Sequence, residues 1–466
     1  MVTYDNTARL PANGRAQIST AHERLPMPAL LYLLGVALPI GFHLGPIYMS
    51  TLRLLLIVII IPLMINLLSG KYGKIIITDI LFILHVLWIG IALLANPPGQ
   101  FIQQIGSVGV EFLGGYMIGR AYIRDQATFI GMCRALIIIV LCTIPFAVFE
   151  TLTSRPVIIE FLNKVPGLGY VTNVDYPTRM GLHRVQASFV HPIHYGLFCS
   201  VVFSLSLVAM KGRVRDSKRF MYSFLITATG FLALSSGALT AFALQFGLLV
   251  WALIFKSYKQ RWWLLVGLFA LAYVTVDLLS NRSPLQVFMS YATFSPHNAY
   301  IRAIQFEWGL ANVLGSVEKG ILGSPIFGIG MSTWVRPAYM TSGSVDNFWL
   351  VITLRYGVPG FLLLAFGYII GIARIMRRNF EGNERLTLIR RAWVFTFIGL
   401  TFTLSTVHVW TNIYSFVFFM FGAGIWLISA VPGGDDDKAA RAEPPKEPVG
   451  RIRYSRFPQR PAASQA

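Results

Sequence analysis

The alternation of apolar and polar positions divides the chain into about twelve apolar runs, near 27–45, 51–69, 75–95, 101–119, 126–150, 191–210, 220–235, 237–255, 262–281, 347–373, 391–409 and 412–431. About 20 apolar residues in helical form span the core of a bilayer, so each run predicts one transmembrane helix. Two polar intervals, 151–190 and 281–346, separate these runs widely, whereas other connections are tight turns such as Asn96-Pro97-Pro98-Gly99. Long connections between spans commonly carry function. Inside the second interval Tyr300 to Trp308 reads as a helix, because Ile301, Ile304 and Trp308 recur at helical spacing and leave Arg302 and Gln305 on another face. Gly323, Gly328 and Gly330 then break the pattern, and Asp346-Asn347 stands at the mouth of the next apolar run. An acid and a cation thereby flank one interfacial space.

Composition removes the soluble alternatives: 55% of the 466 residues are apolar and 13% charged, with a mean hydropathy of +0.62. A formal charge of +19 would suit nucleic acid. The basic residues instead form short clusters between apolar runs, which points to membrane orientation and to no nucleic-acid partner. With the N-terminus cytoplasmic, about 28 basic residues fall on the inner side and about eight in outer loops, as the positive-inside rule requires. This divides the chain into a cytoplasmic tail 1–26, a membrane domain 27–431 with outer loops 151–190 and 281–346, and a disordered cytoplasmic tail 432–466. The first apolar run begins near Met27 after a polar tail, so it reads as an uncleaved anchor. Cys133, Cys142 and Cys199 all lie in apolar runs and suggest no disulfide framework.

The first outer loop ends in Thr178 to Gly196, where Arg179, Arg184, His183, His191 and His194 crowd the mouth of the sixth run. Guanidinium groups on the less basic side suit a diphosphate, which they bind in bidentate fashion, and they suit lipid headgroups equally. His191 and His194 read either as hydrogen-bonding residues of the scaffold or as acid–base groups. Asp346 is the best outer carboxylate for a general base, although it or Asn347 could simply cap the following helix. Asp79, Glu111, Arg134, Glu150, Asp277 and Arg355 fall inside runs, with Arg53 near an outer end, and intramembrane ionisable groups are functional candidates by default. Arg355 can reach toward the Arg302 site or pair with Glu111 or Asp277. The outer loops contain no Asp-x-Asp pair and no His/Cys spacing for a metal, which favours chemistry without a metal or other cofactor. Glycine and proline interrupt the runs mainly at Gly357-Val358-Pro359-Gly360, unlike the paired broken helices expected of a transporter.

Several of these pieces together resemble one family. Arg184 to Gly196, with Phe189 and His191-Pro192, resembles a motif of the O-antigen ligase and polymerase superfamily, and Ser235-Ser236-Gly237-Ala238 is similar to its Ser-Arg-Gly-Ala turn with Ser236 in place of arginine. Asn298 to Trp308, Phe327-Gly328-Ile329-Gly330, Trp334, Arg336-Pro337, Ser344 to Leu350 and Arg355 to Gly360 are similar to the exopolysaccharide-polymerase branch. The resemblance implies a bundle like that of the metal-independent polyprenyl-phosphate glycosyltransferases (GT-C-like), with about twelve helices and a large periplasmic loop in the bacterial inner membrane. It implies transfer of a glycan from undecaprenyl diphosphate to a hydroxyl, by a polymerase joining lipid-linked repeat units or by a ligase, with a transporter of the same lipid as the competing reading. Arg184 and Arg302 match the arginines that hold the diphosphate, and Asp346 stands where ligases carry a catalytic histidine. Substrate contacts are then expected from Arg179, His191, Arg355, Tyr300, Trp308 and Asn347, with Tyr291, Tyr339 and Trp349 among the aromatics available to stack on sugars. A flippase and a chain-length regulator are the partners implied.

Overall fold

The computed structural model describes residues 24–38, 40–44, 47–96, 101–168, 178–281, 284, 287 and 296–432. Tyr291, most of both tails and part of the first outer loop lie outside the described residues. The architecture is almost wholly helical: α1 (Met27–Ala37), α2 (Thr51–Leu68), α3 (Ile77–Ala95), α4 (Phe101–Tyr122), α5 (Gln126–Thr153), α6 (Val157–Asn163) and α7 (Pro192–Ser204), which runs on through one π turn to Ala209. Then follow α8 (Asp216–Phe231), α9 (Ser236–Ile254), α10 (Arg261–Leu279), α11 (Pro296–Leu314), α12 (Phe348–Met376), α13 (Glu384–Leu404) and α14 (Thr411–Gly422), the last extended by a 3₁₀ turn to Ile428. Among the described residues nine helices are long and apolar enough to cross a membrane, so the chain is an all-α polytopic membrane protein. Of the other three expected crossings, α1 has 11 residues and α8 has 16, and α4 carries Gln104, Ser107 and Glu111. The first apolar run stops as a helix at Ala37, and an antiparallel hairpin, β1 (Gly41–Leu44) with β2 (Ile47–Ser50), leads into α2.

Small residues decide which helices touch. A Cβ on Gly119 would lie 2.2 Å from the Phe419 carbonyl oxygen, and one on Gly422 2.2 Å from that of Tyr116. Gly115 and Gly119, one turn apart on α4, therefore let the α4 and α14 backbones approach closely, as small-x-x-x-small faces do in membranes. Around this crossing Phe82, Phe112, Tyr116, Phe418 and Phe421 pack ring against ring. At the inner end Asp79 accepts from the Tyr116 hydroxyl, while Arg120 donates to the carbonyls of Tyr72 (2.7 Å) and Lys74 (3.1 Å). The buried Asp79 thus ties helices together at the face opposite the outer loops. Asp277 is exposed on α10, a helix none of whose residues is buried.

The interruption at Gly357 is a real break in α12. Gly357 sits at φ 71°, where an added Cβ would meet the Ile326 oxygen at 2.0 Å, so both conformation and space require glycine. The break frees backbone groups that a membrane cannot solvate, and the glycine-rich segment of the second outer loop satisfies them. Ile329 N–H donates to the Leu354 carbonyl (2.7 Å), Gly330 N–H to that of Arg355 (3.1 Å), and Val358 N–H to that of Pro325 (2.8 Å). The loop is in this way docked into the broken helix. Ile304, Val313, Trp334 and Val345 of the loop pack with Leu354 of α12 in a small core separate from that of the bundle.

Candidate functional site

The described part of the first outer loop is anchored by a buried carboxylate. Glu150, near the outer end of α5, accepts from the Gln186 N–H (2.8 Å) and the Ala187 N–H (2.9 Å), with Ala187 held at φ 52°. Thr151 Oγ1 donates to the His183 carbonyl (2.9 Å), and Val185 N–H to that of Leu232 (3.0 Å). Glu150 therefore fixes the segment bearing Arg184 and His191. Arg179 closes a tight turn with Leu182 and donates from Nη1 to the Leu234 carbonyl (2.8 Å), just ahead of Ser235, which caps α9. His191 caps α7 by accepting from the Ile193 N–H at Nδ1 (3.0 Å). An acceptor at Nδ1 assigns the ring proton to Nε2, and burial, then Arg184 and Arg179, push the imidazole down to about 4.

The second loop contributes from α11. Arg302 and Gln305 lie on one face of this helix, as their spacing predicts, but that face turns inward and both side chains are buried. Gln305 grips the backbone ahead of α12 with both ends of its amide: Nε2 donates to the Ser344 carbonyl (2.9 Å), and Oε1 accepts from the Asp346 N–H (3.0 Å). Asn347 caps α12 by accepting from Leu350 N–H (3.0 Å), which leaves the Asp346 carboxylate out of the cap. That carboxylate lies 3.9 Å from Arg302 Nε and 3.3 Å from Ser344 Oγ. Among the described residues Arg302 Nε and Nη1 are buried without a hydrogen-bond partner.

The two loops meet here. Asp346 acts electrostatically on both Arg302 and Arg179, Arg179 acts on Arg302, and Arg179 and Arg184 act on His191. Burial lowers the pKa values of Arg179 and Arg302, the Asp346 charge opposes that fall in both, and Arg179 adds to it in Arg302. Two guanidinium groups thus act on one carboxylate, with Arg184 close enough to act on His191 beside them, a surplus of positive charge suited to a multiply charged oxyanion.

Other expected contacts fall elsewhere. Trp308 packs on the loop's own core beneath the Lys319 ammonium, 5.6 Å from its ring centre. Tyr300 is exposed beside Tyr339. Asn347 spends its side-chain oxygen on the helix cap. Arg355 lines a half-open cleft of about 210 Å³ between α2, α4, α12 and the start of α14, together with Arg53, Glu111, His408, Trp410 and Tyr414. Glu111 in this cleft is paired with Arg53 at 2.7 Å.

The sequence places Gln305 beside Arg302 without a role, and it offers none for His408 and Trp410. Trp410 stood between two apolar runs, whereas His408 was hidden at the end of the run 391–409, which the structure ends as a helix at Leu404. His408 is brought down to about 3 by burial and then by Arg355. Trp410 has the rings of His191, His194 and His408 around it at 5.7, 4.1 and 5.8 Å. These imidazoles surround an indole rather than a point, and among the described residues no three His, Cys, Asp or Glu side chains are placed to hold a metal ion. The chain matches no protein-family model and no curated protein.

Proposed function

We propose that the protein is a glycan polymerase of the bacterial inner membrane, joining undecaprenyl-diphosphate-linked repeat units on the outer face with both termini in the cytoplasm. The observation that carries this reading is the meeting of Arg179, Arg302 and Asp346, brought from two outer loops, with Arg184 and Arg179 both acting on the neighbouring His191. The reading also draws on the resemblance of the surrounding motifs to the exopolysaccharide-polymerase branch. In the twelve-crossing arrangement α1, α4 and α8 complete the bundle with the nine long apolar helices.

In the proposed reaction a hydroxyl oxygen of the acceptor glycan attacks the anomeric carbon of the donor. A new glycosidic bond forms as the bond to the diphosphate oxygen breaks, and the departing diphosphate carries the bonding electron pair. Asp346 takes the hydroxyl proton, and Arg302, Arg184 and Arg179 meet the charge that grows on the diphosphate. The diphosphate is already a good leaving group, so charge binding and positioning are the main tasks.

The test is the size profile of undecaprenyl-linked glycan in cells lacking the protein, then in cells carrying Asp346→Asn or Arg302→Lys. Accumulated single repeat units in all three support the polymerase. Long lipid-linked chains in the deletion mean a ligase, and an unchanged profile removes both glycan-transfer readings. Arg302→Lys keeps the charge and loses the planar fork, so full activity in that variant rejects bidentate binding at this residue.

A further inference from the structure

None of Arg179, Arg184, Arg302 and Asp346 lines the cleft that holds Arg355, whereas Trp410 does. The indole packs against His191, His194 and His408, and it shares the lining of the cleft with His408. Arg53 neutralises Glu111, the carboxylate of the lining, and among the described residues no carboxylate pairs with Arg355, whose contact is the adjacent Tyr356 hydroxyl. Among the described residues one guanidinium charge therefore remains uncompensated at this edge of the bundle. Three polar atoms of the lining are buried without a hydrogen-bond partner among the described residues: the Tyr414 hydroxyl, Thr411 Oγ1 and His408 Nδ1. Tyr414 itself is 5% exposed. Buried polar atoms are normally satisfied, so a wall of hydroxyls and an imidazole around an unpaired arginine is built for an oxyanion.

The position of the cleft indicates how that oxyanion arrives. Arg53 lies in the first turn of α2, and below it Leu54, Val58, Ile61 and Ile65 form an exposed apolar flank. A ligand held at Arg355 thus has its headgroup in the cleft, with the lipid-facing surface of α2 running down from Arg53 at its rim. We propose that this cleft binds a second diphosphate, that of the lipid carrier on the acceptor, while the Arg302–Asp346 site binds the diphosphate that leaves. This rests on the polymerase reading, in which both substrates are lipid-linked. The charge difference follows from it: a diphosphate that is only held needs less compensation than one on which charge develops.

The experiment is native mass spectrometry of the full chain with undecaprenyl diphosphate. Two equivalents on the wild type, one on Arg355→Gln and one on Arg302→Gln are expected. Tyr414→Phe removes a hydroxyl that has no hydrogen-bond partner among the described residues, so it should weaken the second equivalent roughly tenfold without lowering the thermal midpoint. A single equivalent on the wild type, or undiminished second binding in both Arg355→Gln and Tyr414→Phe, overturns the proposal. Loss in Arg355→Gln with none in Arg302→Gln keeps the cleft and removes the donor site. The converse keeps the donor site and removes the cleft. Inorganic diphosphate serves as the second probe: displacement of the second lipid equivalent by it at equal concentration would assign the cleft to a soluble anion and reject the lipid carrier.

Discussion

Gln305→Leu is the most discriminating perturbation, because it removes a clamp without touching a charged group. The substitution keeps the approximate volume of the side chain and deletes two hydrogen bonds, to the Ser344 carbonyl and from the Asp346 N–H. Ser344 is exposed, so water replaces the first at little cost, whereas the half-buried Asp346 N–H loses a partner inside the loop. With about 0.5–1.5 kcal/mol net for each bond, the loss of stability should stay near 1–3 kcal/mol. The effect on chemistry should be larger. Asp346 is held 3.9 Å from Arg302 by this backbone grip, and a displacement of about 1 Å in a reacting group can cost on the order of 100-fold in rate. The assay is turnover of purified protein on a lipid-diphosphate-linked repeat unit, with lipid binding measured alongside. A fall of roughly 10- to 100-fold in turnover, with donor binding retained, is expected. Wild-type turnover in Gln305→Leu would refute the reasoning that the position of Asp346 depends on this amide.

The break in α12 should be as sensitive: Gly357→Ala adds a left-handed penalty of about 1–2 kcal/mol and endangers three loop hydrogen bonds, for a total of about 3–5 kcal/mol. Gly382→Ala, also at positive φ (83°) but with nothing within 4 Å of the added carbon, should cost only about 1 kcal/mol. A thiol-reactive dye reads both, since Cys133 and Cys199 are buried until unfolding, and equal midpoints for the two variants would contradict the docking. For pH, the folded His191 is pushed down to about 4 against about 6.5 unfolded, so as pH falls below 6.5 the unfolded state takes up the proton first. Stability present above pH 6.5 is then lost toward pH 4, by at most about 2 kcal/mol at pH 5 for a partly exposed ring. His191→Asn retains a capping oxygen and cannot titrate, so its thermal midpoint should fall less between pH 7 and pH 5. An unchanged fall would assign the pH dependence to other groups.

The residues of the candidate site were readable from the chain to different degrees. Arg302 and Asp346 stood out because a cation on an amphipathic outer helix and an acid at the mouth of a span are local patterns. Gln305 appeared only as a polar neighbour of Arg302; its role depends on a loop 39 residues away in sequence. Glu150 looked like an intramembrane acid with a function of its own. Its partners proved to be two backbone amides of the segment 186–187, which makes it an anchor for that loop.

By itself the sequence determined that the chain belongs in a membrane, which side its basic residues favour, and where α12 must break. These follow from run length, charge asymmetry and the backbone chemistry of glycine and proline, all local quantities. The tertiary structure alone decided that Asn347 and not Asp346 caps α12, that Arg53 takes Glu111 and leaves Arg355 in a cleft, and that Trp410 stands among three histidines. Such pairings depend on which helices approach closely enough. That was set by small residues such as Gly115, Gly119 and Gly422, whose partners lie some 300 residues away and leave no periodic signal in the chain.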